Sequence, residues 1–236
     1  MLFASCSRQN YVYRAPMIQA NVFETKGDVY ASFGVNQLPG LSAGYAITDH
    51  IGVVAGLYGE QFEKGQAYEH RDSNGVNIGS AIYNRQRNGL QLAGVYYGNR
   101  GKFRYELQAG FGVYDELIRV KRTGDLTGSA FDFNRNISRV YQTVLVQPAL
   151  GIQDHNLEVM LGVRIQRIGY EMQVTPYADL LAEPFVQVKA GWDHLKFSLQ
   201  AGTMYATDRG QFRYYPIHIG AGLVFNLNVF GRLKSY

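Results

Sequence analysis

The chain has 236 residues, a formal net charge of +4 and 18% charged residues, without a block of like charge that would indicate a nucleic-acid or lipid-headgroup site. No run approaches the roughly 18 to 20 apolar residues of a membrane-spanning helix, so membrane association would require a β-barrel or an anchor. Glycine (27 residues) and tyrosine (18) are abundant and proline (6) is sparse, a composition that favours strands.

The N-terminal residues contain the only cysteine, Cys6. The sequence Leu-Phe-Ala-Ser-Cys resembles the end of a bacterial lipoprotein signal, in which small residues precede a cysteine that is cleaved at and acylated. We therefore predict a covalent lipid at Cys6, the alternative being an inert thiol. Residues 7–26 show no sustained period and are interpreted as a tether under the barrel rim. The predicted domains are a lipoprotein-like N-terminus with a periplasmic tether, 1–26, and a barrel, 27–236.

From residue 28 onward, apolar residues alternate with polar or small ones. A period of two predicts a strand whose faces meet different surroundings. The first four predicted strands are 28–35, 41–48, 51–62 and 88–98. A polar stretch rich in glycine and asparagine separates the last two and predicts a long external loop at 64–85.

The fifth strand, 102–121, shows the alternation most clearly. Its apolar positions are Phe103, Tyr105, Leu107, Ala109, Phe111 and Val113. Strands in soluble proteins average about five or six residues, whereas a tilted strand across a bilayer needs about nine to eleven. The length and the two faces predict a transmembrane strand with an apolar side towards lipid and a polar side towards the barrel interior.

Five further strands follow a second predicted external loop at 123–136. They are 138–153, 157–173, 186–192, 197–205 and 217–227. Pro148 lies inside the sixth strand, where it must either remove a ladder hydrogen bond or mark a bulge. Ten strands is an even number, as in single-chain bacterial barrels. The sequence therefore predicts an all-β protein, a single closed antiparallel up-and-down transmembrane β-barrel of about ten strands; the alternative fold is a soluble sandwich.

The turns after strands two, four, six and eight are short, and the other connections are longer on average. Short periplasmic turns that alternate with longer external loops are typical of outer-membrane barrels. We therefore predict a bacterial outer-membrane location with the N- and C-termini both periplasmic.

Candidate catalytic groups do not converge in this topology. Three Asp-His pairs, at 49–50, 154–155 and 193–194, fall in separate short turns and are interpreted as turn residues rather than as acid-base or metal sites. His218 faces the interior without a neighbouring serine. The sequence predicts no catalytic, cofactor-binding or metal residues, although a cluster of His70, Asp72 and Glu116 in the external loops would favour a hydrolase.

The inward-facing positions carry charges of both signs. These residues are Arg104, Glu106, Glu158, Arg164 and Lys189. A barrel of about eight strands is filled by its own side chains and wide channels occur at about 16, so we predict that these five residues form an ion-paired network that fills the lumen. A narrow channel is the alternative.

Several segments resemble a family of small outer-membrane β-barrel lipoproteins of the Bacteroidota. They are the lipoprotein-like start and residues 11–16, 22–31 and 44–53, while the remainder is similar only in architecture. Because this family is largely without an assigned activity, the resemblance implies a location and a shape rather than a chemistry.

These features favour a non-enzymatic outer-membrane barrel lipoprotein that serves as a structural or accessory subunit of an envelope assembly for protein secretion or barrel insertion. Expected partners are outer-membrane lipid and other outer-membrane proteins in a hetero-complex, with no nucleic acid and no cofactor beyond the lipid at Cys6. The alternatives are a surface ligand-binding or adhesion barrel that uses its external loops and, less favoured, a hydrolase or narrow channel.

Overall fold

The computed structural model describes residues 11–13, 16, 18–20, 23–72, 75–126, 129–154, 156–170, 177–206, 212–214 and 216–227. Within these residues the chain forms strands and turns, and no helix is long and apolar enough to cross a membrane. Cys6 lies outside the described residues.

Ten antiparallel strands form a closed ring. They are β1 (Val29–Val35), β2 (Pro39–Ala46), β3 (Ile51–Asp72), β4 (Gly75–Arg100), β5 (Phe103–Leu126), β6 (Ser129–Asp154), β7 (Leu157–Tyr170), β8 (Tyr177–Trp192), β9 (Leu195–Thr203) and β10 (Ile217–Asn226). Each strand pairs with its sequence neighbours, and β10 pairs with β1 to complete the ring. The predicted ten-stranded barrel is confirmed.

Where the side chains of the ring are described, they alternate between the outside and the lumen, because successive residues of a strand point to opposite faces. On β5, Phe103 and Phe111 are 68% and 54% exposed, whereas Glu106 and Gln108 are 4% and 3% exposed. Exposed apolar residues recur around the ring, among them Phe33, Leu57, Leu92, Val144, Leu161, Trp192, Leu199 and Ile219. This distribution is the reverse of that in a soluble protein and matches a barrel whose outer wall meets lipid.

Strands β3, β4 and β6 are much longer than predicted, β5 continues past its predicted end at 121 to Leu126, and β8 begins at Tyr177 rather than at 186. The β3–β4 ladder continues to Asp72↔Gly75 and the β5–β6 ladder to Leu126↔Ser129. The predicted loops at 64–85 and 123–136 are therefore wrong, since almost all of these residues continue the strands. Hairpin pairing satisfies the backbone groups of these residues, so the strands continue without a strict apolar–polar alternation in the sequence.

The long strands project beyond the rest of the wall. The pairing of β2 with β3 ends at Gly40↔Tyr58, and that of β6 with β7 ends at Tyr141↔Tyr170. Beyond these pairs, four strand portions form a sheet that we call the projecting sheet: 59–72, 75–88, 115–126 and 129–140. At about 3.3 Å per residue it extends roughly 40 Å along the strands.

Pro148 interrupts one ladder without shifting its register. The β6–β7 pairing has Val146↔Ile165 and Ala149↔Gly162 but no pairs between them. The same offset holds on both sides of the gap, so no residue is inserted. Of the two predicted outcomes at Pro148, the lost ladder contact is the one that occurs.

The chain before β1 runs inside the barrel rather than under its rim. Ile18 and Ala20 have no exposed surface, and Phe23 is also buried. We call residues 16–23, of which 16, 18–20 and 23 are described, the lumen segment. The expectation of a tether under the rim is therefore wrong for these residues. The segment belongs to no sheet, and the side chains of the lumen wall supply the hydrogen-bond partners that a neighbouring strand would otherwise provide.

The lumen segment connects the two ends of the barrel. At the end with the long hairpins, Tyr11–Tyr13 pairs in parallel with Phe212–Tyr214, and Pro16 bridges to Leu38 in the β1–β2 turn. At the end with the short turns, the Lys26 N–H donates to Asp49 Oδ1 over 2.9 Å. The first described residues therefore lie at the hairpin end, whereas β10 ends at the short-turn end. Residues 1–10 and 228–236 lie outside the described residues, so the position of the two termini stays a prediction.

Candidate functional site in the barrel lumen

Glutamines line the part of the lumen that surrounds the lumen segment. The buried members on β5 to β9 are Gln108, Gln147, Gln166, Gln187 and Gln200. Each occupies an inward position because of the two-residue period of its strand. Buried amides need hydrogen-bond partners, and for four of the five the partner is the lumen segment backbone.

Ile18 and Ala20 are bound through both their N–H and their C=O groups. The Ile18 N–H donates to Gln200 Oε1 over 2.9 Å, and its carbonyl accepts from Gln187 Nε2 over 2.8 Å. The Ala20 N–H donates to Gln187 Oε1 over 3.2 Å, and its carbonyl accepts from Lys189 Nζ. These hydrogen bonds from the wall thus go to the peptide groups of the segment.

Two more carbonyls of the segment are held in the same way. The Gln19 carbonyl accepts from Gln108 Nε2 over 2.5 Å and from Gln147 Nε2 over 3.0 Å. The Pro16 carbonyl accepts from Arg164 Nη1 over 3.4 Å. An extended chain that belongs to no sheet must find its partners among side chains or water, and here the side chains of the wall provide them.

The side chains of the segment occupy two apolar places in the wall. Ile18 and Ala20 belong to a buried cluster with Ala149, Met160 and Phe185. This cluster leaves little room beside Ala20.

Phe23 occupies the second place, near the short-turn end. Its ring lies edge-on to Tyr30, with centroids 5.5 Å apart, and 5.4 Å from the ring of Tyr97. Glycine lines the facing wall: a Cβ atom at Gly52 would lie 2.5 Å from the Phe23 ring. The absence of a side chain at Gly52 therefore makes room for Phe23.

The predicted charged residues all lie on the inner face. Glu158 is 3.5 Å from Lys189 Nζ and also pairs with Lys196. Arg164 Nε donates to Gln147 Oε1 over 3.1 Å. A low-dielectric lumen makes such pairing necessary, because an uncompensated buried charge is costly.

The remaining two predicted charges have different partners. Glu106 accepts a hydrogen bond from Gln108 Nε2 over 2.5 Å. Arg104 lies nearer the short-turn end, where its Nε donates to Gln153 Oε1 over 2.8 Å and its guanidinium is 3.8 Å from Glu24. Of the five predicted residues, Glu158 and Lys189 pair with each other. Arg104 and Arg164 instead lie near two other carboxylates, those of Glu24 and Glu183.

A second buried group, absent from the sequence prediction, holds Pro16. His218 Nε2 lies 3.2 Å from Glu183 Oε1, and Glu183 Oε2 lies 3.7 Å from Arg164. Asn36 Nδ2 is 3.1 Å from His218 Nδ1 and 3.5 Å from the Pro16 carbonyl. Sequence alternation places His218 inside, whereas Glu183 precedes the predicted eighth strand, 186–192. The alternation also carries no signal that pairs residues on β8 and β10.

Above this level, the lumen contains an aromatic layer and then an ion-paired layer. Tyr58, Tyr114 and Tyr141 stack, with the last two rings 4.8 Å apart and 4° from parallel. Arg87 then pairs with Glu116 at 2.6 Å. Of the hypothetical His70, Asp72 and Glu116 cluster, only the Glu116 side chain is described, and arginines surround it.

Two small cavities adjoin the described lumen residues. A cavity of about 10 Å³ lies beside Gln19, Tyr58 and Gln108, and one of about 30 Å³ lies beside Glu158 and Lys189. Such volumes hold one or two water molecules. In the part of the chain that the structure describes, no three His, Cys, Asp or Glu residues are grouped to hold a metal ion.

The Asp-His pairs at 49–50 and 193–194 lie in turns, and Asp154 is the last residue of β6. Asp49 accepts the Lys26 N–H, and His50 Nδ1 lies 3.3 Å from the Tyr97 carbonyl. Asp154 pairs with Lys102 at 2.8 Å on the surface. His155 lies outside the described residues, so that pair is described only through its aspartate.

A closed ring of ten antiparallel strands, an apolar outer wall and a polar occupied interior together define a transmembrane β-barrel of the bacterial outer-membrane type.

Comparison with known proteins adds no closer assignment. No protein-family model and no curated protein matches the chain. Among solved structures, the N-terminal β-barrel domain of Pseudomonas aeruginosa OprF is 13% identical, with a TM-score of 0.31 over 85% of this chain and 96% of that one. LpxR from Salmonella typhimurium is 12% identical, with a TM-score of 0.34 over 84% and 99%. The Pseudomonas putida toluene transporter TodX is 8% identical, with a TM-score of 0.30 over 86% and 89%. Likeness at this level carries no information about activity.

Proposed function

We propose that the protein is an outer-membrane barrel lipoprotein that acts as a non-enzymatic structural or accessory subunit of an envelope assembly, such as a machinery for protein secretion or barrel insertion. The observation that carries this proposal is the lumen, which is occupied by the protein's own chain. The outer wall and the projecting sheet are therefore the surfaces that remain available to bind a partner.

The outer wall has a feature suited to a neighbouring membrane protein. A groove of about 680 Å³ crosses it where the short β1–β2 hairpin meets the taller β3, β4 and β5. Its exposed apolar lining includes Phe33, Leu41, Leu57, Leu90 and Val113. Large exposed apolar grooves are typical of interaction sites, and we assign this one to an outer-membrane partner.

The proposed orientation places the short turns in the periplasm, as in other outer-membrane barrels. Tyr11 then lies on the outer side of the membrane. Cys6 is five residues before Tyr11, which corresponds to at most about 18 Å of extended chain. A lipid at Cys6 would accordingly enter the outer leaflet, which differs from the periplasmic anchor that the sequence predicts.

The proposal is tested by gentle detergent extraction of the natively expressed protein, tagged at its C-terminus, followed by mass spectrometry of its companions and its N-terminal peptide. We expect stoichiometric outer-membrane proteins and an acylated Cys6. A matched pair of variants locates the interface: Leu57→Trp fills the groove, whereas Leu161→Trp enlarges an equally exposed leucine on β7. We expect only Leu57→Trp to lose the companions. A solitary barrel with an unmodified thiol would contradict the proposal.

The projecting sheet favours a second candidate function, a barrel that binds a surface ligand. Strands β3 to β6 have 22 to 26 residues, against 7 to 10 for β1, β2, β9 and β10. A sheet of that height on one side of the barrel offers a binding surface well above the membrane. Shortening it tests this candidate: loss of surface binding with retention of the companion proteins would favour ligand binding over the subunit role.

A further inference from the structure

We propose that the lumen is a binding site for an extended polypeptide, and that the lumen segment is an exchangeable resident that the same peptide, supplied in trans, replaces. This inference goes beyond the role as an envelope subunit and does not depend on it. It concerns what the interior recognises, whereas that role concerns the outer wall.

The first argument is that the wall recognises the peptide backbone. Five of the six backbone N–H and C=O groups of residues 18–20 are bound by wall side chains. Recognition through backbone groups selects an extended conformation and a chain direction rather than a particular sequence. A lumen that is filled only for stability would not need hydrogen bonds from the wall to a peptide backbone, since the side chains of the wall can pair with one another.

Gln187 shows this recognition most directly. Its amide donates to the Ile18 carbonyl and accepts from the Ala20 N–H. In a parallel sheet, one residue of a neighbouring strand makes this same pair of bonds to residues i and i+2. The side chain of Gln187 therefore substitutes for a missing strand neighbour.

Two apolar places supply side-chain selectivity. Ala20 is fully buried in the cluster with Met160 and Phe185, which admits only a small residue. The pocket around Phe23, which Tyr30 and Gly52 line, fits an aromatic ring. The ligand class is thus an extended peptide with an aliphatic residue, a small residue two positions later and an aromatic residue three further on.

The segment is exchangeable because the barrel is complete without it. The ring closes through β1 and β10, and no strand of the ring pairs with residues 18–20. Departure of the segment would leave a channel lined by amides and charges, which water can solvate, and not a dry cavity. The link to β1 passes through the exposed turn at 24–26, followed by Gly27 with φ of 84°.

The experiment uses the full chain with a protease site inserted between Lys26 and Gly27. After folding in detergent and cleavage, a fluorescent peptide of residues 14–24 is added, and its binding is followed by anisotropy. We expect one peptide to bind per barrel and the cut segment to be released. A Gln19→Ala peptide, whose parent residue is held through its carbonyl, is expected to bind within about threefold of the native peptide. An Ala20→Trp peptide is expected to bind at least 100-fold more weakly.

A second variant tests the proposal should the insertion prevent folding. Ala20→Trp in the intact chain is expected to keep the segment from seating, so that the barrel conducts ions in a planar bilayer. The native peptide is then expected to block that current, whereas the Ala20→Trp peptide is not. Absence of exchange in the cleaved protein, equal binding of all three peptides, or a current that the native peptide does not block would each overturn the proposal.

Discussion

The side-chain amide of Gln187 joins three parts of the lumen. It contacts the Ile18 carbonyl, the Ala20 N–H and, over 3.1 Å, Ser198 Oγ. A leucine of similar size would leave two buried peptide groups without this partner. Each buried polar group that loses its hydrogen bond costs about 1–3 kcal/mol.

We therefore expect Gln187→Leu to lower the free energy of unfolding by about 2–4 kcal/mol. Urea titration in lipid vesicles measures this, with fluorescence of the only tryptophan, Trp192, as the probe. The matched control is Gln142→Leu, since Gln142 points outward on β6. Equal unfolding midpoints for the two variants would show that Gln187 does not hold the segment.

Two carboxylate–lysine pairs in this protein differ chiefly in burial. Glu158 is buried beside Lys189 and Lys196, whereas Asp154 and Lys102 pair on the surface. Loss of one partner from a buried pair leaves an uncompensated charge and costs about 3–5 kcal/mol, while exposed pairs contribute about 1 kcal/mol or less.

Accordingly, we expect Glu158→Gln to destabilise the barrel by about 3–5 kcal/mol and Asp154→Asn by less than about 1 kcal/mol. The same urea titration provides the comparison. High salt is expected to abolish the small effect at Asp154 and to leave most of the effect at Glu158, because buried pairs are screened less. A small effect at both sites would indicate that water reaches Glu158.

At the scale of single residues, sequence alternation predicts which side chains face inward, and it does so for Glu158 and Lys189. It does not predict that Lys189 also binds the Ala20 carbonyl. That contact joins residues 169 positions apart, and Ala20 lies in a stretch without any period. No local pattern marks such a partner.

At the scale of elements, the hairpins β3–β4 and β5–β6 show that sequence alternation reports the different surroundings of a strand's two faces, and not the strand itself. Within the membrane, each strand separates lipid from lumen, so the alternation is strong. Beyond residue 58 the strand β3 continues, but its sequence no longer alternates regularly between apolar and polar residues. The sequence signal therefore ends with the membrane, while the hydrogen-bonded ladder runs on to Asp72.

Shortening the β3–β4 hairpin is expected to leave the barrel intact. Removal of residues 64–83, with Glu63 and its partner Asn84 joined through Asn-Gly, preserves the register of the remaining ladder. We expect the urea midpoint and the heat-dependent shift on gel electrophoresis to change little, because the excised part pairs only within the projecting sheet.

The matched control removes residues 123–132 from the β5–β6 hairpin, where Arg122 pairs with Phe133. Both shortened proteins should fold. Collapse of the barrel in either case would show that the projecting sheet supports the ring, and it would also remove the basis for treating this sheet as a separate binding surface.

For the whole molecule, the strand count and closure were predictable, whereas the content of the lumen was not. Ten alternating stretches and an even count specify a ring. The ring's content depends on a segment whose hydrogen-bond partners lie on β5 to β9, and sequence periodicity cannot report contacts of that kind.

We expect the intact protein to conduct no steady ionic current in a planar bilayer, because the lumen segment and its wall partners occupy the described lumen, and the two cavities beside them have volumes of about 10 and 30 Å³. A large open porin in the same membrane verifies that channels are detectable. A stable open state of the intact chain would contradict the filled lumen and would restore the narrow-channel alternative.

The path of the segment through the ring also dictates an order of assembly. The seam between β1 and β10 joins residues as distant as Val35 and Ala221, and contacts of such sequence separation form late. The wall side chains on β5 to β9 that bind the lumen segment are therefore expected to be in place before the seam closes, so that the segment serves as a template around which the ring is completed. Closure in this order sets when the segment enters, and it leaves later exchange open to any extended peptide that can thread the finished ring.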